Sequence, residues 1–277
     1  MIPAPFEYVA PDSLDDAIRA LAEGGEEAKL LAGGHSLLPL MKLRLATPEL
    51  LVDLRKLSDL RGIRQAADGV EIGALTTHAE VAKASELGVA AHAAGLIADQ
   101  QVRNRGTIGG SIAHGDPAAD LPGVLLALEG SVVARGPDGE REIAASDLFQ
   151  DYLTTSLRPD EVVTAVRLPS TEGWGFGYEK FTRRSEDWGM VGVCAVAKRQ
   201  DGQVEDVRVA LTNMGGTPLR AEAVESALRG QSVDSIASAA EAAAEGTDPP
   251  GDLNATPDYK RHLARVLTRR ALAQALS

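Results

Sequence analysis

Two pairs of adjacent glycines stand in segments that could contact an anionic ligand. The first pair lies in AGGHS at 32–36 and the second in TIGGS at 107–111. Adjacent glycines allow backbone angles that other residues avoid, and they lack the Cβ atoms that would hold a ligand away. Successive N–H groups left bare in such a turn form a concave site for a phosphate or pyrophosphate. We therefore predict that both segments contact phosphate through their backbone.

A single glycine pair is most simply a tight turn between a strand and a helix. The second copy, roughly 75 residues further along, favours a larger role. Two anion sites on separate units suit a ligand whose diphosphate bridge lies between those units. No Walker loop and no G-x-G-x-x-G occurs in the chain, which disfavours a Rossmann dinucleotide domain.

Other polar residues near the second pair admit more than one interpretation. Asp120 could accept hydrogen bonds from sugar hydroxyls, or it could cap the apolar helix that follows. With His114 and Asp116 it forms H-x-D-x-x-x-D, but a fourth metal ligand is missing, so we predict no metal site. His35 could contact a ligand or cap the next helix.

No pattern in the sequence indicates a protein nucleophile or a general base. Ser-His-Asp and Cys-His arrangements do not stand out, and we assign no catalytic residue. The histidines at 78, 92 and 262 are predicted to be surface residues.

The elements that must position these residues form three groups. Strands are predicted at 6–9, 28–34 and 49–57, with helices at 14–24, capped by Ser13, and at 37–45, capped by Ser36. A second group runs from a strand at Gly69, through helices, to a hairpin at 131–149 and a strand at 160–169. A glycine-rich boundary near 175 precedes two strands around Asp201-Gly202 and Ala-rich helices. We predict domains at 1–55, 56–175 and 176–277.

Composition excludes several classes of protein. The 277 residues are 44% hydrophobic and carry a net charge of −12, which argues against binding to nucleic acid or an anionic membrane surface. The lone Cys194 cannot form an internal disulfide, and it cannot hold an iron–sulfur cluster, which needs about four thiolates. No apolar run approaches about 18 residues, so we expect a cytoplasmic protein without a membrane span.

Four segments together resemble the FAD-binding medium chain of molybdenum hydroxylases, the group that includes carbon monoxide dehydrogenase and xanthine dehydrogenase. They are AGGHS at 32–36, IGALTTHAEV at 72–81, RNRGTIGGS at 103–111 with the following GDPAADLP, and YEKF to DWGMVGVCA at 178–195. The resemblance covers essentially the whole chain in order. It implies FAD as cofactor and an α+β fold with two α/β FAD-binding subdomains of the PCMH type. A C-terminal domain with a small antiparallel sheet and helices follows.

The resemblance also implies which residues hold FAD. Both diglycine loops would cradle the pyrophosphate, and Asp120 would hold the ribose or adenine end. Ile97, Val163 and Lys180 would line the flavin site, and Trp188 would lie against the isoalloxazine. The full set is Ala32, Gly33, Gly34, His35, Ser36, Leu37, Ile97, Thr107, Gly109, Gly110, Ser111, Asp120, Val163, Lys180 and Trp188. Ser111 stands where relatives often have Asn. Lys180 could instead be a solvated strand lysine, and Trp174 could compete with Trp188.

The function implied is electron transfer by an FAD-binding subunit. A [2Fe-2S] small subunit, itself reduced by a molybdenum-cofactor large subunit, would supply electrons that pass through FAD to an external acceptor. One alternative is a self-contained FAD-dependent oxidoreductase of the same fold that acts directly on a substrate. Another is a non-enzymatic nucleotide-binding or assembly module that binds no flavin.

Overall fold

The first unit is a small parallel sheet with a helix on either side. The computed structural model of the chain describes residues 2–277. The first elements are β1 (Glu7–Val9), α1 (Leu14–Gly24), β2 (Ala28–Leu31), α2 (Leu37–Leu43) and β3 (Leu50–Asp53). The strand order is β1-β3-β2, and both pairs are parallel. Ser13 caps α1 as predicted, whereas the hydroxyl of Ser36 makes no capping bond to α2.

The second unit is built on an antiparallel sheet of five strands in the order β4-β5-β10-β6-β7. Its elements are β4 (Ile63–Ala66), β5 (Gly69–Gly73), α3 (His78–Lys83), α4 (Val89–Gly95), α5 (Gln100–Arg103), α6 (Ile108–His114), α7 (Asp120–Ala127), β6 (Ser131–Gly136), β7 (Gly139–Ala144), α8 (Ala145–Leu148), β8 (Phe149–Asp151), β9 (Thr154–Thr155) and β10 (Val162–Pro169). The short edge strand β4 was not predicted, since only one of its four residues is even partly buried and it lacks an apolar pattern.

The third unit is a second antiparallel sheet, ordered β11-β12-β13-β14, with helices on one face. Its elements are β11 (Gly175–Phe181), β12 (Val191–Gln200), β13 (Gln203–Thr212), β14 (Leu219–Arg220), α9 (Glu222–Leu228), α10 (Ile236–Ala239) and α11 (Pro257–Ala275). The glycine-rich segment predicted as a boundary is part of β11. A Cβ on Gly177 would lie 2.0 Å from the carbonyl oxygen of Ala271, so glycine lets α11 pack directly on this strand.

Helix α7 joins the second and third units. All eight of its residues are buried, as expected for a helix that is apolar on every side. It packs against β13, where a Cβ on Gly123 would lie 2.5 Å from Thr212 Cγ2. The core around it includes Val132 of one sheet and Val196 of the other. This packing brings Asp120, the first residue of α7, to the end of β11.

The α+β fold class is confirmed. The three larger sheets follow one another along the chain, and β11 begins at Gly175, at the expected boundary. The division of the chain into domains at 1–55, 56–175 and 176–277 stays a prediction. Among the described residues, no helix combines the length and the apolar character needed to cross a membrane.

Candidate cofactor-binding site

A cleft of about 480 Å³ opens where the three units meet. The first unit contributes β2 and the start of α2, the second contributes α3, α5, α6 and the beginnings of α7 and β10, and the third contributes Lys180 and residues 186–188. Its volume lies within the range of roughly 300–1,000 Å³ that is typical of sites for small molecules and cofactors. All fifteen residues predicted to hold FAD lie along its wall, although the role of each one stays a prediction.

The loop at 32–36 presents open backbone donors. None of the N–H groups from Gly33 to Leu37 donates a hydrogen bond within residues 2–277. Gly34 has φ +78°, a left-handed conformation that glycine adopts without strain. A Cβ on Gly33 would lie 2.3 Å from the carbonyl oxygen of Arg105, so this glycine is also needed for contact between two loops. The result is a run of donors suited to an anion.

The second glycine pair is arranged differently. Gly109 and Gly110 lie in the first turn of α6, not in a turn that follows a strand. The N–H of Gly109 donates to the carbonyl of Ala74 (2.9 Å), and that of Gly110 donates to Thr107 Oγ1 (3.2 Å). The expectation of bare N–H groups here is therefore wrong. This segment lines the cleft with the two glycines, which leave space for a ligand, and with Thr107 and Ser111, which carry hydroxyl groups.

A buried ion pair stands at the junction of α7 and β11. Lys180 Nζ lies 2.9 Å from Asp120 Oδ2 and also donates to the carbonyl of Leu96 (3.2 Å). The Tyr178 hydroxyl donates to the other carboxylate oxygen of Asp120 (2.6 Å). Burial raises the pKa of Asp120, although both partners stabilise its charged form, and burial also raises the pKa of Tyr178. Lys180, with 6% of its side chain exposed, is not a solvated strand lysine.

This pairing corrects two expectations about Asp120. The N-cap of α7 is Ala119, so Asp120 is not the capping residue. The resemblance assigned Asp120 to the adenine or ribose end of FAD and Lys180 to the flavin. Adenine and isoalloxazine are at opposite ends of the cofactor, whereas these two side chains are 2.9 Å apart. The two assignments therefore cannot both hold as stated, and the segment of FAD that the pair faces stays a prediction.

The H-x-D-x-x-x-D residues do not converge on one point. The Asp116 carboxylate accepts from the N–H of Ala118 (2.8 Å) in a turn before α7, while the carboxylate of Asp120 is engaged by Tyr178 and Lys180. Within residues 2–277, no three side chains of His, Cys, Asp or Glu are grouped as a metal site would require.

The two tryptophans occupy different environments. Trp188 is 60% exposed and lies at the edge of the cleft, next to Glu186 and Asp187. Trp174 packs under the Arg208 guanidinium, 4.5 Å from its ring centroid, and does not line the cleft. Of the two indoles, Trp188 is the one placed to contact a bound cofactor.

His78 is the site residue that the sequence interpretation missed. Predicted to be on the surface, it is 5% exposed and lines the cleft. Burial, with help from the charges of His35 and Arg103, lowers its pKa to about 4, so the imidazole is neutral near pH 7. One sequence signal was available, because His78 stands three residues before the apolar Val81 and residues three apart share a helix face. In the structure Val81 is fully buried.

Comparison with known proteins identifies the family of this chain. Residues 4–171 match the family described as the FAD binding domain in molybdopterin dehydrogenase, and residues 176–275 match the CO dehydrogenase flavoprotein C-terminal domain. The chain belongs to the FAD-binding medium subunits of the carbon monoxide dehydrogenase and xanthine dehydrogenase family. Its cofactor is FAD, and it is an oxidoreductase subunit. The predicted family and cofactor are confirmed.

Relatives of this medium subunit match over nearly their full length. It is 44% identical to the carbon monoxide dehydrogenase medium chain of Hydrogenophaga pseudoflava, covering 98% of this chain and 97% of that one. It is 39% identical to the nicotine 6-hydroxylase medium subunit of Paenarthrobacter nicotinovorans, with coverages of 98% and 97%. The solved quinoline 2-oxidoreductase from Pseudomonas putida 86 matches with a TM-score of 0.95 and 33% identity, over 100% of this chain and 98% of that one.

Proposed function

We propose that this medium subunit carries electrons from an iron–sulfur partner chain to an external acceptor. FAD supplies reversible redox chemistry when bound, and the protein supplies binding, orientation and electrostatics. The observation that carries the proposal is the composition of the cleft. It combines an anion-binding loop, a buried ion pair and an exposed indole, and the carboxylate of Asp120 is engaged by Tyr178 and Lys180.

The pyrophosphate of FAD would be held by the loop at 33–37. Its open N–H groups point to an anion, and Thr107 and Ser111 add hydroxyl groups from the facing helix. With a net charge of −12, the protein as a whole repels a pyrophosphate. Local backbone dipoles must therefore provide the attraction, which explains why donors without a protein partner are kept here.

Lys180 and Asp120 would face one segment of the cofactor, near the isoalloxazine. Ile97 and Val163, which line the same cleft, would supply apolar contacts. Trp188 presents an indole with little packing of its own, and an aromatic contact with a planar ring system contributes about 0.5–1.5 kcal/mol beyond area burial.

Electrons must enter from another chain. Cys194 is 1% exposed, and burial raises the pKa of its thiol to about 12, so it serves neither as a nucleophile nor as part of a cluster. Relatives are described as a medium chain or as a subunit of a dehydrogenase complex, which supports assembly with further chains. We propose a [2Fe-2S] small subunit and a molybdenum-cofactor large subunit as those partners.

The test compares the FAD-loaded chain alone with the complex formed by co-expression with candidate small and large subunits. Flavin absorbance is followed without oxygen after adding carbon monoxide, nicotine or caffeine, substrates suggested by the names of relatives. Dithionite should bleach both samples, whereas a substrate should bleach only the complex. Bleaching of the isolated chain by a substrate would instead establish a self-contained oxidoreductase. Absence of any co-purifying complex would refute the assignment of partners.

A further inference from the structure

The imidazole of His78 is a buried polar group without a protein partner. It is 5% exposed, and its Nδ1 atom is enclosed with no hydrogen-bond partner among residues 2–277. Buried polar groups in native proteins are almost always hydrogen-bonded, so an unpartnered one needs an explanation. The second ring nitrogen, Nε2, also has no protein partner among these residues but is not enclosed, and since His78 lines the cleft, Nε2 is the atom that a bound molecule could contact.

His78 lies beside the loop that carries the open donors. Its ring touches Gly106, where a Cβ would lie 2.9 Å from His78 Nε2. Gly106 in turn lies against Gly33, since a Cβ added to Gly33 would lie 2.7 Å from Gly106 Cα. His35 of the same loop is near enough for its charge to act on His78. The imidazole therefore faces the part of the cleft that is suited to phosphate.

We propose that His78 contacts the pyrophosphate segment of FAD and takes up a proton when the cofactor binds. The inference rests on FAD occupying this cleft. His78 would then be a binding residue that makes cofactor retention depend on pH.

The charges around the ring give the direction of this dependence. His35 on the β2–α2 loop and Arg103 on α5 both disfavour a protonated His78, as does burial. On its own helix, Glu80 is held in a capping box by Thr77. A pyrophosphate adds negative charge that favours the imidazolium, so the pKa of His78 must be higher in the complex than in the free chain. FAD then binds more tightly at low pH, and the gain is lost as pH rises through the pKa of the complex.

The test is calorimetric titration of the full FAD-free chain with FAD between about pH 5 and pH 8. Using two buffers of different ionisation enthalpy gives the number of protons taken up. For one linked proton the dissociation constant changes at most about tenfold per pH unit. We expect proton uptake near pH 6 for the wild type and for His92→Gln, whose imidazole is exposed outside the cleft. His78→Gln, which keeps a hydrogen-bond donor but does not titrate, should bind without proton uptake.

A second variant separates hydrogen bonding from packing. His78→Phe keeps the ring shape and removes the polar atoms, so FAD binding near pH 6 should weaken about tenfold or more. Its thermal unfolding without FAD should not fall below that of the wild type. His92→Phe, which changes an exposed imidazole outside the cleft, is the matched control and should leave FAD binding unchanged.

Each outcome decides the proposal. Proton uptake that disappears only in the His78 variants supports it. Wild-type binding that is independent of pH, or uptake that persists in His78→Gln, overturns it and leaves the assignment of FAD intact. Should His78→Phe fail to fold, the comparison of His78→Gln with the wild type still gives the answer. Failure of the wild type to bind FAD at any pH would overturn the cofactor assignment itself.

Discussion

Replacing Lys180 with Met tests the buried ion pair most directly. The substitution keeps a long apolar stem and removes the ammonium group that lies 2.9 Å from Asp120 Oδ2. Asp120 would keep its bond from the Tyr178 hydroxyl, but its carboxylate, whose side chain is 5% exposed, would have no countercharge. We expect Lys180→Met to destabilise the FAD-free chain strongly near pH 8.

The magnitude follows from burial. Removing one partner of a buried pair costs about 3–5 kcal/mol, because a charge is left uncompensated in a region of low dielectric. The pair between Lys198 and Glu205 provides a control, since its side chains are 39% and 47% exposed at a separation of 3.9 Å. Exposed pairs contribute about 0–1 kcal/mol, so Lys198→Met should have little effect.

The pH dependence gives a second and independent prediction. Burial already raises the pKa of Asp120, and loss of Lys180 must raise it further. A group whose pKa is higher in the folded than in the unfolded state stabilises the protein below the unfolded pKa, and this contribution is lost as pH rises through the folded pKa. The deficit of Lys180→Met relative to the wild type should therefore shrink on acidification, because the folded carboxyl becomes neutral first.

The assay is urea unfolding of the FAD-free chain at about pH 8 and about pH 5.5, with the free energy of unfolding extrapolated to water. The double variant Lys180→Met/Asp120→Asn removes both charges and should recover most of the loss, which a double-mutant cycle measures. If Lys180→Met near pH 8 is as mild as Lys198→Met, or if the double variant recovers nothing, the argument from a buried charge is refuted.

Three further predictions concern the loops, the indoles and the thiol. Gly33→Ala should lower the free energy of unfolding by about 1–3 kcal/mol and weaken FAD binding, because the new Cβ would lie 2.3 Å from a backbone carbonyl oxygen. Gly110→Ala should lower the free energy of unfolding less, as measured by urea unfolding. Equal losses in the two variants would contradict the distinction between the two loops. Trp188→Ala should weaken FAD binding about two- to tenfold and brighten flavin fluorescence, since a stacked indole quenches it; Trp174→Ala should do neither, and the reverse result would reassign the indole. Cys194 should resist a thiol reagent near pH 8 until the chain is unfolded, since burial raises its pKa to about 12, and rapid labelling of the folded chain would disprove its burial.

The amino-acid sequence by itself determined most of the helices, strands and turns. Ser13 caps α1 through an N–H three residues away, and Asp201 and Gly202 adopt positive φ at the predicted hairpin turn. The apolar residues at 121–128 predicted a helix, which the structure has as α7. Such signals need only neighbouring residues, so they are readable without a fold. All fifteen residues predicted from the motifs of the family lie along the cleft.

Tertiary structure decided how the polar groups of the site are used. The N–H of Gly109 is satisfied by Ala74, and Asp120 is paired with Lys180, a residue 60 positions away. His78 is buried because α3 packs against the Gly106 loop, not because of its own sequence neighbours. Each outcome depends on which partner the fold brings within about 3 Å, the distance of a hydrogen bond. These partners are far apart in the sequence, so only folding brings them together. Local propensity therefore predicted most of the elements, and the family motifs predicted most of the site residues, whereas packing alone decided which donors and charges remain open to FAD.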